Sequence, residues 1–103
     1  MEVIHKIGRR KKSVARVFMS EGKGNITVNK KSFSDFFDTA ILQYKIQQPF
    51  NLTETKDKFD LLVTVKGGGV NGQAEAIRLA ISRALVEFNN EFKPAFTRNA
   101  PSG

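Results

Sequence analysis

Four consecutive cations, Arg9, Arg10, Lys11 and Lys12, follow Gly8 near the N-terminus. Clustered Arg and Lys hold phosphate by charge, and the planar guanidinium adds a fork that grips two oxygens or stacks on a base. A second stretch, VKGGGVNGQAEAIR over residues 65–78, joins a strand pattern to a helix pattern through Gly67, Gly68, Gly69 and Gly72. A helix start exposes unpaired backbone N–H groups at the positive end of its dipole, and glycines let a phosphodiester approach the backbone closely. Gln73 adds amide hydrogens there, and Arg78 follows about a turn and a half along the helix. Both stretches suit an anion.

A nucleotide site has to be weighed against a larger polyanion. A P-loop places Lys and Ser/Thr directly after its last glycine to hold the β- and γ-phosphates and Mg²⁺, whereas Gly72 is followed by Gln73-Ala74. Gly67, Gly69 and Gly72 match the G-x-G-x-x-G spacing of dinucleotide sites, but the acid expected about twenty residues on, ending a second strand, falls in a helical stretch. The acids are scattered through polar segments with no apolar frame to raise a pKa. His5 sits in a strand beside the cations, where a solvated or phosphate-adjacent ring is a simpler reading than a general base. With no Cys and one His, there is no disulfide, thiol nucleophile or His/Cys zinc site. The expectation is a non-enzymatic chain with no cofactor and no metal. A nucleotide-binding enzyme domain using the glycine turn is the alternative, and a solubilising loop or a turn that only packs closely are the plainer readings of the two stretches.

The distribution of charge favours a nucleic acid. The 103-residue chain carries a formal +7, and residues 1–16 hold six cations, including Lys6 and Arg16, against the single acid Glu2. The rest of the chain holds eleven cations against nine acids. Self-repulsion disfavours such clustering in a lone protein, so a polyanionic partner is the natural complement. The length accommodates one domain, and 40% apolar residues with nine Phe supply a modest two-layer core. No stretch approaches eighteen apolar residues and the N-terminus lacks an apolar signal core, so a soluble chain with no membrane partner is expected.

The elements that position the two stretches follow from periodicity. Residues 3–7 read as a short strand entering the basic loop. Ala15, Val17 and Met19 alternate with Val14, Arg16 and Phe18, and after the turn SEGKG, Ile26 and Val28 alternate with Asn25, Thr27 and Asn29. This predicts a β-hairpin of residues 13–19 against 25–29. Ser32-Phe33-Ser34-Asp35 has capping-box spacing for a short helical turn carrying Phe36 and Phe37. Thr39 can cap a second helix with Ile41, Leu42 and Ile46 inward, closed by Pro49, and residues 51–58 form a polar connection. Phe59, Leu61, Val63 and Val65 mark a strand. The longest helix is expected over residues 72–91, with Ile77, Ile81, Ala84, Leu85 and Phe88 as its buried stripe and Arg83 paired with Glu87. Residues 1–94 thus form one domain, residues 95–103 a short irregular tail, and the class is α+β with helices on one face of a sheet.

Four segments resemble the bacterial-type small-subunit ribosomal protein nine family: HKIGRRKKSVARV (residues 5–17), GNITVNKKSFSDFF (24–37), LQYKIQQP (42–49) and VKGGGVNGQAEAIRLAISRALVEF (65–88). They stand in the family's order and spacing. The resemblance implies a mixed four-stranded sheet with helices on one face, like the second domain of small-subunit ribosomal protein five, with a left-handed β-α-β crossover. It implies a structural constituent of the small ribosomal subunit, supporting translation near the peptidyl-tRNA site. The chain would be bound in the subunit head to the 3′ major domain of the small-subunit rRNA and to neighbouring head proteins, without homo-oligomerisation. A cytoplasmic ribosome is implied, with an organellar one as the alternative. The RNA-facing residues carried over are Arg9, Arg10, Lys11, Lys12 and Arg16, then Gly67, Gly68, Gly69, Gly72 and Gln73, then Arg78 and Arg83. The family's basic tail, ending in Ser-Lys-Arg, reaches peptidyl-site tRNA. Beyond Thr97-Arg98 this sequence lacks it, so that tRNA contact is not carried over.

Overall fold

Alternation of apolar and polar residues makes the N-terminal third extended. In the computed structural model, which describes residues 2–99, β1 (Ile4–Arg10) and β2 (Ser13–Glu21) run antiparallel. Arg10 pairs with Ser13, so Lys11 and Lys12 alone make the turn. Arg9 and Arg10 thus end a strand, where the sequence suggests a loop. Lys11 takes a left-handed φ of 56°, costly for a residue with a Cβ.

β3 (Ile26–Val28) and β4 (Lys31–Ser32) follow, then α1 (Phe33–Phe36), α2 (Ala40–Thr53) and β5 (Phe59–Lys66). The sheet order is β1-β2-β5-β3-β4, with β3 parallel to β5 and the other neighbours antiparallel. The sheet is therefore mixed, as expected, with five strands instead of four. The additional strand, β4, has two residues, too few for alternation to mark it. It is turned back by Asn29 and Lys30, both at positive φ, the pattern of a tight hairpin turn.

The expected hairpin of β2 with β3 does not form, because β5 lies between them. β5 buries Phe59, Leu61, Val63 and Val65 and pairs with β2 along its whole length, a larger gain than three residues of β3 could supply. The Gly22–Asn25 turn instead closes on Asp60, whose Oδ1 accepts N–H bonds from Lys23, Gly24 and Asn25 at 3.0, 3.2 and 2.9 Å.

Both predicted helix caps are present: Ser32 Oγ accepts from the Asp35 N–H and Thr39 Oγ1 from the Leu42 N–H. Pro49 does not close α2. It lies inside the helix, which continues to Thr53 and ends at Glu54 in a left-handed conformation. Pro removes one helical hydrogen bond, but buried Leu42, Ile46, Pro49 and Phe50 hold the stretch against the core. The first three residues of the expected polar connection, 51–53, are therefore helical.

α3 (Val70–Phe88) begins two residues before, and ends three before, the expected 72–91. Ile77, Ile81, Ala84 and Leu85 are fully buried, as its stripe requires. Phe88 is not; it is 44% exposed and meets Phe59 edge-on at 4.9 Å. The Arg83–Glu87 pair is replaced by longer-range bonds. Arg83 Nη1 donates to the Ile7 carbonyl at 2.8 Å and Glu87 pairs with Lys6 at 3.1 Å. β1 presses so closely on α3 that a Cβ at Gly8 would strike the Ala76 carbonyl, and Ala76 and Ala80 keep that helix face flat. After a 3-10 turn (Asn90–Phe92), Lys93–Asn99 forms α4 where an irregular tail is expected from residue 95; residues 100–103 lie outside the described residues. The helices cover one face of the sheet. On the other, Arg16, Leu62, Thr64 and Lys66 are exposed.

Candidate nucleic-acid interface

The two phosphate-seeking stretches meet. Ser13, which ends the basic turn, is buried and donates its hydroxyl to the Gly67 carbonyl at 2.9 Å. Gly67 and Gly68 take φ values of 82° and 64°, which reverse the chain between β5 and α3. A Cβ on Gly67 would strike the Lys12 carbonyl and one on Gly68 the Ser13 hydroxyl, while one on Gly72 would sit 2.9 Å from the same oxygen. These three glycines let the glycine turn close on the basic turn. Gly69 differs: a Cβ there would meet nothing within 4 Å. It is the N-cap of α3 and offers no side chain to the first-turn N–H groups. Gly69, Val70 and Asn71 are all exposed, so the positive end of a 19-residue helix opens beside Lys11 and Lys12.

The remaining sequence-derived candidates divide. Gln73 stands at this end, but its Nε2 donates to the Gly67 carbonyl at 3.2 Å and braces the turn from within. Arg9 is exposed on the open face beside the turn, and Arg16 is exposed on the same face further along β2. Arg10 emerges at the start of α3, its carbonyl 3.8 Å from where a Gly72 Cβ would lie. Arg78 and Arg83 do not join the group. Arg78 donates to Gln48 at 2.9 Å and to Glu75 at 3.1 Å, and Lys45 holds the other Glu75 oxygen at 3.2 Å. That half-buried network ties α2 to α3, while Arg83 ties α3 to β1.

The fold also delivers cations that the two motifs do not contain. Lys66 stands opposite Val14, while Lys30 lies in the β3–β4 turn and Lys31 begins β4 opposite Val28. β3 runs parallel to β5, so this turn reaches the end of the sheet that holds the basic turn. Lys66 could have been found from its phase with Leu62 and Thr64 on the polar side of β5. Lys30 and Lys31 carry no such signal, since their position depends on strand order.

Fold and site define an α+β module with one strongly cationic end, open helix N–H groups at its centre and a geometry that can hold several phosphates at once. A family profile described as Ribosomal protein S9/S16 matches residues 8–100. The chain is 64% identical over 91 residues to "Small ribosomal subunit protein uS9" of Christiangramia forsetii, covering 88% of this chain and 71% of that protein. It is 52% identical over 95 residues to the protein of the same name from Bacteroides fragilis, covering 92% and 74%. With that of Flavobacterium psychrophilum it shares 58% over 87 residues, covering 84% and 68%. The chain belongs to the Ribosomal protein S9/S16 family. That membership supports a structural ribosomal protein and gives no support to the nucleotide-binding enzyme.

Proposed function

We propose that this protein is a structural constituent of the small ribosomal subunit and binds small-subunit rRNA through the cationic end of its sheet. The observation that carries the site is the clamp of Ser13 on Gly67 and Gly68, which fuses the basic turn and the start of α3 into one phosphate-binding surface. Backbone N–H groups at the α3 start and Lys11, Lys12, Arg9, Arg10 and Lys66 around it contact phosphates. Arg16 extends the contact along β2. Gly67, Gly68, Gly72 and Gln73 act by shaping the turn, and Arg78 and Arg83 by fixing α3. The place we assign is the subunit head of a cytoplasmic ribosome, on the 3′ major domain of the rRNA among neighbouring head proteins and near the peptidyl-tRNA site. Residues 1–94 act there as one rRNA-binding domain.

The test is binding of the protein to a fragment of that rRNA domain across a salt series. With about four phosphates neutralised, log affinity against log salt slopes near −3. Affinity that stays flat between low and high salt, or tighter binding of ATP·Mg²⁺ than of the fragment, overturns the reading.

A further inference from the structure

The open face of the sheet is graded from charge to aromatic surface. Strand register sorts its side chains into rows. Nearest the basic turn are Arg9, Val14 and Lys66; next come Ile7, Arg16 and Thr64. The third row is His5, Phe18, Leu62 and Thr27. In it the His5 ring lies flat on Phe18, centroids 4.3 Å apart and planes 4° from parallel, and Leu62 is 55% exposed. Asp60 is the carboxylate that register assigns to this face, one row further on, and the Gly22–Asn25 turn holds it.

We propose that this face is a stacking platform for unpaired RNA bases, with the strand's phosphates over Arg9, Arg16 and Lys66 and its bases over Phe18, His5 and Leu62. The proposal rests on the rRNA-binding reading and adds which form of RNA is held and where. Alternate residues along a strand stand about 7 Å apart, so a cation row and the aromatic row beside it can engage the phosphate and base of a single nucleotide. A duplex turns its base faces inward and cannot use the aromatic row. A protein covering this face would have to neutralise three cations where an RNA strand supplies the anions itself. The flat His5–Phe18 pair is the geometry on which a third ring continues a stack.

The experiment compares an unstructured RNA dodecamer with a blunt RNA duplex of equal length, using the full chain. Phe18→Leu keeps an apolar strand residue and removes the ring; Phe18→Tyr keeps the ring. Phe18→Leu should weaken single-strand binding roughly tenfold, leave duplex binding unchanged, and be rescued by Phe18→Tyr. Arg10→Ala should weaken both. In unaltered protein, irradiation with a bromouridine-substituted dodecamer should crosslink β2 or β5 at Phe18 or Leu62. The chain has no cysteine, so alkylation of a Leu62→Cys variant reports what covers the face. Protection by the dodecamer supports the platform, and protection only by other small-subunit proteins overturns it. Equal single-strand affinity of Phe18→Leu and the parent, or crosslinks confined to the helices, also overturns it, and persisting Arg10→Ala losses would then leave the rRNA reading standing. A parent chain that binds neither RNA would defeat that reading and the platform together.

Discussion

β5 has a glycine-containing turn beside each end, and the two do opposite things with similar parts. Beside Asp60, the turn containing Gly22 and Gly24 gathers three successive backbone N–H groups around a carboxylate of the chain itself. Beyond Lys66, Gly67–Gly69 turns into a helix whose first N–H groups have no side-chain cap, with lysines and arginines around them. The first nest is filled from within and serves the fold. The second is left open and can serve a partner. Glycines and backbone N–H groups thus mark anion sites of both kinds, and what separates them is whether the chain supplies its own anion.

The largest effect should come from forcing the open turn apart. Gly68→Val puts a branched side chain at φ 64° against the Ser13 hydroxyl. Strain and lost packing should remove roughly 2–4 kcal/mol of stability in denaturant titration, and RNA affinity should fall with it. Gly69→Ala, one residue on, should cost at most about 1 kcal/mol, since only cap preference opposes it. Equal losses at the two positions would show that the clamp on Ser13 is not what holds the turn.

The filled nest can be emptied by acid. The N–H groups of Asn25 and Lys23 are the main causes that hold the Asp60 carboxyl below the ordinary aspartate value, with smaller help from Gly24 and the Lys23 charge. The unfolded chain therefore takes up the proton first on acidification. Stability from this carboxylate is complete above the ordinary aspartate range, about pH 4, and is lost as pH falls through the lower folded value. Asp60→Asn should lower the melting temperature at pH 7 and flatten its dependence on acid below pH 4, with RNA affinity unchanged. An identical acid dependence in the two proteins would remove Asp60 from the turn's support.

Much of this was readable from local pattern. The alternation of β5, the buried Ile77, Ile81, Ala84 and Leu85, and the Ser32 and Thr39 caps are short-range facts, and all stand in the structure. Strand order was not readable, because insertion of β5 between β2 and β3 is decided by burial gained across nearly forty residues of chain. The same gap hid Lys30 and Lys31 from the cationic end. Arg78 and Arg83, RNA-facing by the resemblance, donate to Gln48 and to the Ile7 carbonyl, partners distant in sequence that local spacing did not mark.

That division gives a pair of substitutions of similar chemistry and different outcome. Arg10→Ala should leave stability unchanged within about 0.5 kcal/mol and reduce the salt slope of RNA binding by about 1. Arg78→Ala should cost roughly 1–2 kcal/mol of stability, by leaving Glu75 and Gln48 short of a partner, and leave the salt slope intact. Denaturation and binding titrations on both variants check the contrast. If Arg78→Ala alters the slope and Arg10→Ala does not, the cations have been assigned to the wrong roles.

A small gain in stability, where the other changes cost or leave it level, should come from turning the open nest into a copy of the filled one. Gly69 caps α3 without a side chain, and a Cβ there is unobstructed. Gly69→Asp supplies an acceptor for the first-turn N–H groups and a negative charge at the positive end of the helix. Cap preference adds a few tenths of a kcal/mol over glycine and the dipole a similar amount, so a gain of about 0.5–1 kcal/mol is expected. The same carboxylate occupies the place of a phosphate and neutralises part of the charge around Lys11 and Lys12, so RNA affinity should fall by about fivefold or more even as the protein becomes more stable. Gly69→Ser separates the two contributions, because it caps without charge and should retain most of the affinity. Stability and RNA binding that rise together in Gly69→Asp would mean that phosphates do not sit at the start of α3. The cations would then hold the RNA alone.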